Sequence, residues 1–105
     1  VSVMGGGALE VLPNPVYADR SPNCEFSFRS EPGLEIAIDV YTMALEQVCT
    51  LSGEGIYTDA EMHSVIWDLA NEAGLRVASG VYLAVARFTT PTDERIERRK
   101  IMVIH

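Results

Sequence analysis

The chain has 105 residues, 48% of them apolar, and a formal net charge of −7 at neutral pH. That length holds one domain with room for a core. The charge disfavours broad binding to nucleic-acid phosphates, and no apolar run approaches the ~20 residues of a membrane-spanning helix.

Residues 1–23 are expected to form a flexible or extended N-terminal arm, lying over the domain or across a partner. Gly5-Gly6-Gly7 fixes no backbone geometry, and no Gly-Lys-Ser/Thr follows to make it a phosphate loop. Ala8 to Leu12 reads as a short strand, after which Pro13-Asn14-Pro15 and Ser21-Pro22-Asn23 interrupt regular structure. The rest, 24–105, is expected to be a single α+β domain.

Cys24 to Arg29 alternates, with Cys24, Phe26 and Phe28 on one face, and reads as a strand. Glu31-Pro32-Gly33 supplies turn chemistry. Residues 34–51 satisfy two patterns. Leu34, Ile36, Ile38 and Val40 alternate with Glu35, Ala37, Asp39 and Tyr41, as a strand over 34–41 would. Glu35, Asp39, Thr42, Glu46 and Thr50 fall on one helical stripe in otherwise apolar surroundings, and this longer pattern favours a buried helix over 34–51.

Residues 59–73 read as the clearest helix. Thr58 is a good N-cap, Glu61 completes a capping box, and Tyr57 and Met62 are spaced for a hydrophobic staple. Met62, Val65, Ile66, Leu69, Ala70 and Ala73 form one apolar stripe, and Gly74 supplies the left-handed stop. Residues 76–104 then read as a β-hairpin. Val81, Leu83 and Val85 alternate with Tyr82, Ala84, Ala86 and Phe88; both faces are apolar, as in a strand covered on two sides. On the return strand Ile101 and Val103 point one way, Arg98, Lys100 and Met102 the other. The expected architecture is α+β: an antiparallel sheet containing 76–104 and 24–29, packed by helix 59–73.

Chemistry-bearing patterns are sparse. His63, Trp67 and Asn71, spaced by four on the expected helix, define the edge of a ligand pocket, with Tyr82 as a further lining residue. His63 is the one candidate catalytic residue, a general base assisted by Tyr82 or Asp39. Half of the basic residues lie between Arg95 and Lys100, where the local charge turns positive; Arg95, Arg98, Arg99 and Lys100 are the candidate partner-binding residues. Glu61, Asp68 and Glu72 lack the further oxygen ligands a hard cation needs, so no metal and no cofactor is expected. Cys24 and Cys49 are too few for a disulfide scaffold or a zinc cage; reduced thiols in a cytoplasmic protein are the expectation, with a single bridge as the alternative.

The leading expectation is a non-catalytic interaction or small-ligand-binding module that forms a homo-oligomer and meets a small apolar ligand or a protein partner, but no membrane or nucleic acid. The alternatives are a small enzyme using His63 as general base, and an acidic inhibitor or immunity-type protein that meets a basic partner through Glu61, Asp68 and Glu72.

Overall fold

Side-chain alternation with a period of two governs the longer strands between Cys24 and Ile104. The computed structural model describes residues 9–105. Among them eight strands form and no helix: β1 (Glu10–Leu12), β2 (Val16–Tyr17), β3 (Cys24–Arg29), β4 (Glu35–Thr42), β5 (Gln47–Ser52), β6 (Met62–Trp67), β7 (Gly80–Thr89) and β8 (Glu94–Ile104). They make two sheets. One is three-stranded in the order β1-β3-β6, the other five-stranded in the order β2-β8-β7-β4-β5. All pairings are antiparallel except the two-residue contact of β2 with β8.

The inner faces of the two sheets share one apolar core. The smaller sheet contributes Val11, Cys24, Phe26, Phe28, Val65 and Trp67; the larger contributes Ile36, Ile38, Val40, Tyr82, Phe88 and Ile101. Ala84 and Ala86 on β7 are fully buried. Their small side chains leave volume for the aromatic rings opposite, as close packing requires. Two edge-to-face ring contacts cross the interior: Phe28 with Phe88 at 6.0 Å and Trp67 with Tyr82 at 5.8 Å between centroids. The protein is a β-sandwich.

This architecture replaces the expected α+β domain: helix content is zero and 56% of the described residues are strand. The helix expected over 59–73 does not form. Its middle is β6, whose Val65 and Trp67 point inward with His63, while Met62, Ser64 and Ile66 point out. Ile66, placed on the helix's buried stripe by sequence, is 46% exposed. Met62, Val65 and Ile66 share a face only at helical spacing; in the strand Val65 faces the core with Trp67, and the apolar Met62 and Ile66 on the outer face are what lent the segment its helical stripe. The cap signals belong to other structures. Asp59 Oδ1 accepts from the Glu61 N–H at 3.2 Å in an Asx-type turn, and Gly74, with φ of 84°, closes a loop rather than a helix.

No helix spans 34–51 either. Ile36, Ile38 and Val40 point into the core from β4, and β5 returns beside it through a turn in which Leu45 has φ of 66°. The 76–104 hairpin is present as β7 and β8. β3, expected in the same sheet, lies in the opposite one, paired with β1 and β6. Val81, Leu83 and Val85 on the outer face of β7 are only half-buried, since no second layer covers them among the described residues.

The segment expected as an arm splits between the sheets. β1 borders β3, and β2 borders the end of β8. Residues 1–8, including the glycine run, lie outside the described residues.

Candidate functional site

β6 and the turn before it place the one histidine of the sequence-derived pocket. Asp59 lies in the turn, and its Oδ1 faces His63 Nε2 at 2.9 Å. The same oxygen accepts from Ser30 Oγ at 2.8 Å and from the Glu61 N–H at 3.2 Å. These bonds, with His63 contributing most, hold the Asp59 carboxyl down at about 2. The His63 ring packs against Tyr57 at 4.5 Å between centroids, tilted by 44°, and lies 6.3 Å from Phe28. It therefore sits at the sandwich rim, about a quarter exposed.

The order Ser30, Asp59, His63 is not that of a hydrolytic triad. A nucleophilic hydroxyl must hand its proton to the imidazole; here the carboxylate stands between them. Ser30 is 1% exposed, so its oxygen is closed to a substrate. The cluster is a polar clasp that ties the end of β3 to the turn leading into β6.

Trp67 lies at the other end of β6, on the same face as His63 but with Val65 between them. It is fully buried, and its Nε1 donates to Ala70 O at 3.0 Å. Tyr82 is buried as well; its hydroxyl donates to Ala78 O at 2.6 Å, and burial raises its pKa. Asn71 belongs to the loop after β6. Its side-chain oxygen accepts the N–H groups of Ala73 and Leu75, at 2.9 and 3.0 Å. Trp67 and Tyr82 are thus core residues in mutual contact, while His63 and Asn71 serve two separate turns. None of the four lines either of the two cavities described next.

Two shallow cavities lie elsewhere. One, of about 250 Å³, opens between Glu31, Leu34, Phe88 and Arg95 beside the β7–β8 turn. The other, of about 260 Å³, lies beside Ile36, Gly53 and Arg87.

The basic segment alternates across β8. Arg98 and Lys100 are exposed on the outer face, while Arg95 and Arg99 lie on the other side, flanking Glu97 at 3.9 and 2.9 Å. The four cations form no single patch. The acidic trio is also dispersed. Glu61 precedes β6, Asp68 Oδ1 accepts from the Ala70 N–H at 3.2 Å, and Glu72 Oε2 accepts from the Thr50 N–H at 2.8 Å. No group of three or more His, Cys, Asp or Glu side chains is placed to hold a metal among the described residues.

Asp59, Ser30 and Glu72 carry contacts that sequence reading missed. Asp59 lies four residues before His63, but an expected helix assigns that aspartate to a first turn rather than to the imidazole. Ser30 carries no signal, because β3 and the 59–61 turn meet only in the folded chain.

Two facing, mostly antiparallel sheets with short connections define the class: a small β-sandwich module. No family model matches the sequence, and no curated protein does. Solved structures do resemble it. Dimeric latent PorU from Porphyromonas gingivalis matches with a TM-score of 0.72 and 21% identity, over 91% of this chain and 9% of that one. PorZ, described as an essential bacterial surface component of the type-IX secretion system of the same organism, matches with a TM-score of 0.60 and 18% identity, over 93% of this chain and 12% of that one. The chain therefore spans only about a tenth of the length of each, and the likeness is one of fold.

Proposed function

We propose that this chain is a non-catalytic interaction module of a larger bacterial surface protein. The observation that carries the reading is one of proportion: nearly the whole chain corresponds to a small part of two much longer chains. One of these is described as a surface component of a secretion system. A sandwich that recurs as a minor part of large proteins suits attachment or docking, with any chemistry residing elsewhere in the parent. The site geometry supports the same reading, since His63 is engaged by Asp59 and Ser30 is sealed from solvent. On this reading the chain works at the cell surface rather than in the cytoplasm, and its free thiols suit either setting.

A fusion tests it. Purified and joined to a fluorescent protein, the chain is expected to bind the isolated envelope fraction of a bacterium with a type-IX secretion system. His63→Ala is expected to leave this unchanged. A reporter that stays in the supernatant would overturn the surface reading, and loss of a measurable activity in His63→Ala would overturn the non-catalytic one.

A further inference from the structure

β8 has one long edge that the described residues leave largely open. Along a strand, the N–H and C=O of one residue point to the same edge, and the direction alternates from residue to residue. Lys100 O accepts from Asn14 Nδ2 at 2.8 Å, the Met102 N–H donates to Asn14 Oδ1 at 3.1 Å, and the Ala18 N–H donates to Ile104 O at 2.8 Å. The even-numbered residues thus present their backbone groups away from β7. β2 meets this edge only at Val103 and Ile104, and the Asn14 carboxamide imitates a peptide group between Lys100 and Met102. At Glu94, Ile96 and Arg98 no described strand follows. The Glu94 N–H rests on Asp93 Oδ1 at 2.9 Å and Arg98 O on Arg99 Nη1 at 2.8 Å. The opposite edge of the sheet, on β5, is met by Glu72 of the loop after β6: the Thr50 N–H donates to Glu72 Oε2 at 2.8 Å and the Glu72 N–H to Val48 O at 3.1 Å.

The open stretch reads Glu94-Arg95-Ile96-Glu97-Arg98. Reversed about Ile96, every charge meets its opposite. We propose that two copies of this chain associate through antiparallel pairing of their β8 edges, centred on Ile96. In that register Glu94 faces Arg98 of the second copy, Arg95 faces Glu97, and Ile96 faces Ile96; the two-fold axis repeats each pair. The edge-directed backbone groups of Glu94, Ile96 and Arg98 then face edge-directed groups of the other copy, as an antiparallel ladder requires. Neighbouring registers are poorer. Centring on Glu97 sets that residue against itself and Arg95 against Arg99, offset only by Glu94 facing Lys100. Centring on Arg98 sets two guanidinium groups together and, although Glu97 then faces Arg99, it places Ile96 and Glu94 opposite Lys100 and Met102, whose edge groups Asn14 already holds. Like charges directly opposite are destabilising, whereas unlike pairs stabilise.

Charged edges commonly keep sheets apart. This edge deters strands of other patterns while remaining complementary to its own copy. Ile96, 44% exposed in the single chain, is covered by its counterpart, and the side chain of Arg98 acquires Glu94 of the second copy. Joining at β8 fuses two five-stranded sheets into one continuous sheet across an isologous interface. The inference deepens the reading of the chain as an interaction module by naming one partner, a second copy.

Two charge reversals decide it. Analytical ultracentrifugation of the 105-residue chain is expected to show a concentration-dependent dimer. Glu94→Arg alone and Arg98→Glu alone each place like charges opposite and are expected to weaken it by about tenfold or more. Mixing the two variants sets the introduced arginine of one copy against the introduced glutamate of the other. That mixture is expected to restore association as a heterodimer, and the double variant is expected to associate with itself. Circular dichroism identical to the parent chain shows that each variant is folded. A chain that stays monomeric at millimolar concentration overturns the proposal, as does a dimer indifferent to both single reversals or a mixture that fails to associate. A monomer whose reporter still binds the envelope fraction would remove this interface and leave the module reading intact.

Discussion

Trp67 and Tyr82 meet edge to face across the sandwich, one from each sheet, with ring centroids 5.8 Å apart and planes at 71°. Each also caps the chain beside it: the indole N–H holds Ala70 O and the phenol holds Ala78 O. The pair therefore clamps both ends of the loop that joins β6 to β7. Trp67→Ala removes a large, fully buried side chain and is expected to cost about 3–5 kcal/mol. Tyr82→Phe keeps the ring and loses one hydrogen bond, about 1 kcal/mol. Urea unfolding followed by circular dichroism measures both, and a cost below that of Tyr82→Phe for Trp67→Ala would contradict the packing.

Asp59 sets an acid limit. Its carboxyl is held down at about 2, chiefly by His63, against an ordinary value of 3.8. A carboxyl whose folded pKa lies below its unfolded one stabilises the fold above the unfolded value, and that contribution falls away as pH drops from about 4 through about 2. In Asp59→Asn, stability is expected to depend less on pH across that window. Carbon-detected titration of the Asp59 carboxyl gives the value directly; a midpoint near 4 would remove the clasp.

The thiols are expected to be inert in the folded chain. Burial, aided by Glu25, pushes Cys24 up to about 11, and burial, aided by Glu72, Asp68 and Asp39, does the same to Cys49. The thiolate is the nucleophile, so alkylation by iodoacetamide at pH 8 is expected to be slow in the native chain and fast in urea. Rapid native labelling of either thiol would place it outside the core.

The loop after β6 depends on Asn71 and Gly74. Asn71 Oδ1 takes two backbone N–H groups, and Gly74 has φ of 84°. Gly74→Ala forces a Cβ into a left-handed residue, although no neighbour crowds it, and is expected to cost about 1 kcal/mol. Asn71→Ala is expected to cost a similar ~1 kcal/mol through its lost bonds. Thermal melts of the single and double variants check both, with less than additive losses expected because the two residues serve one turn.

Much of the strand pattern was legible. The alternation of Cys24, Phe26 and Phe28 places all three in the core, and the two faces of 81–88 are those of β7. Gly33, expected in a turn, and Gly74, expected as a helix stop, both have left-handed backbone, although no helix precedes Gly74. Residues 59–73 mislead because each local signal admits a second use. Thr58, Glu61 and Gly74 suit a helix's ends, yet Asp59 and Gly74 serve turns. The expected pocket followed that error, since spacing by four puts His63 and Trp67 together on a helix but a strand separates them by an intervening Val65.

Alternation alone was enough to place the buried apolar faces of 24–29 and 82–88, because period-two burial is a local property of an extended chain; over 34–41 the same alternation competed with a longer helical pattern, and the helix expected from that pattern is a strand in the folded chain. Only the folded structure decided that Met62–Trp67 is a strand and that it lies in a different sheet from β7. Its hydrogen-bonding partner is β3, more than thirty residues earlier, and no local window contains the energy of that pairing. The open edge of β8 was likewise hidden, since an edge exists only once every other strand has taken its place.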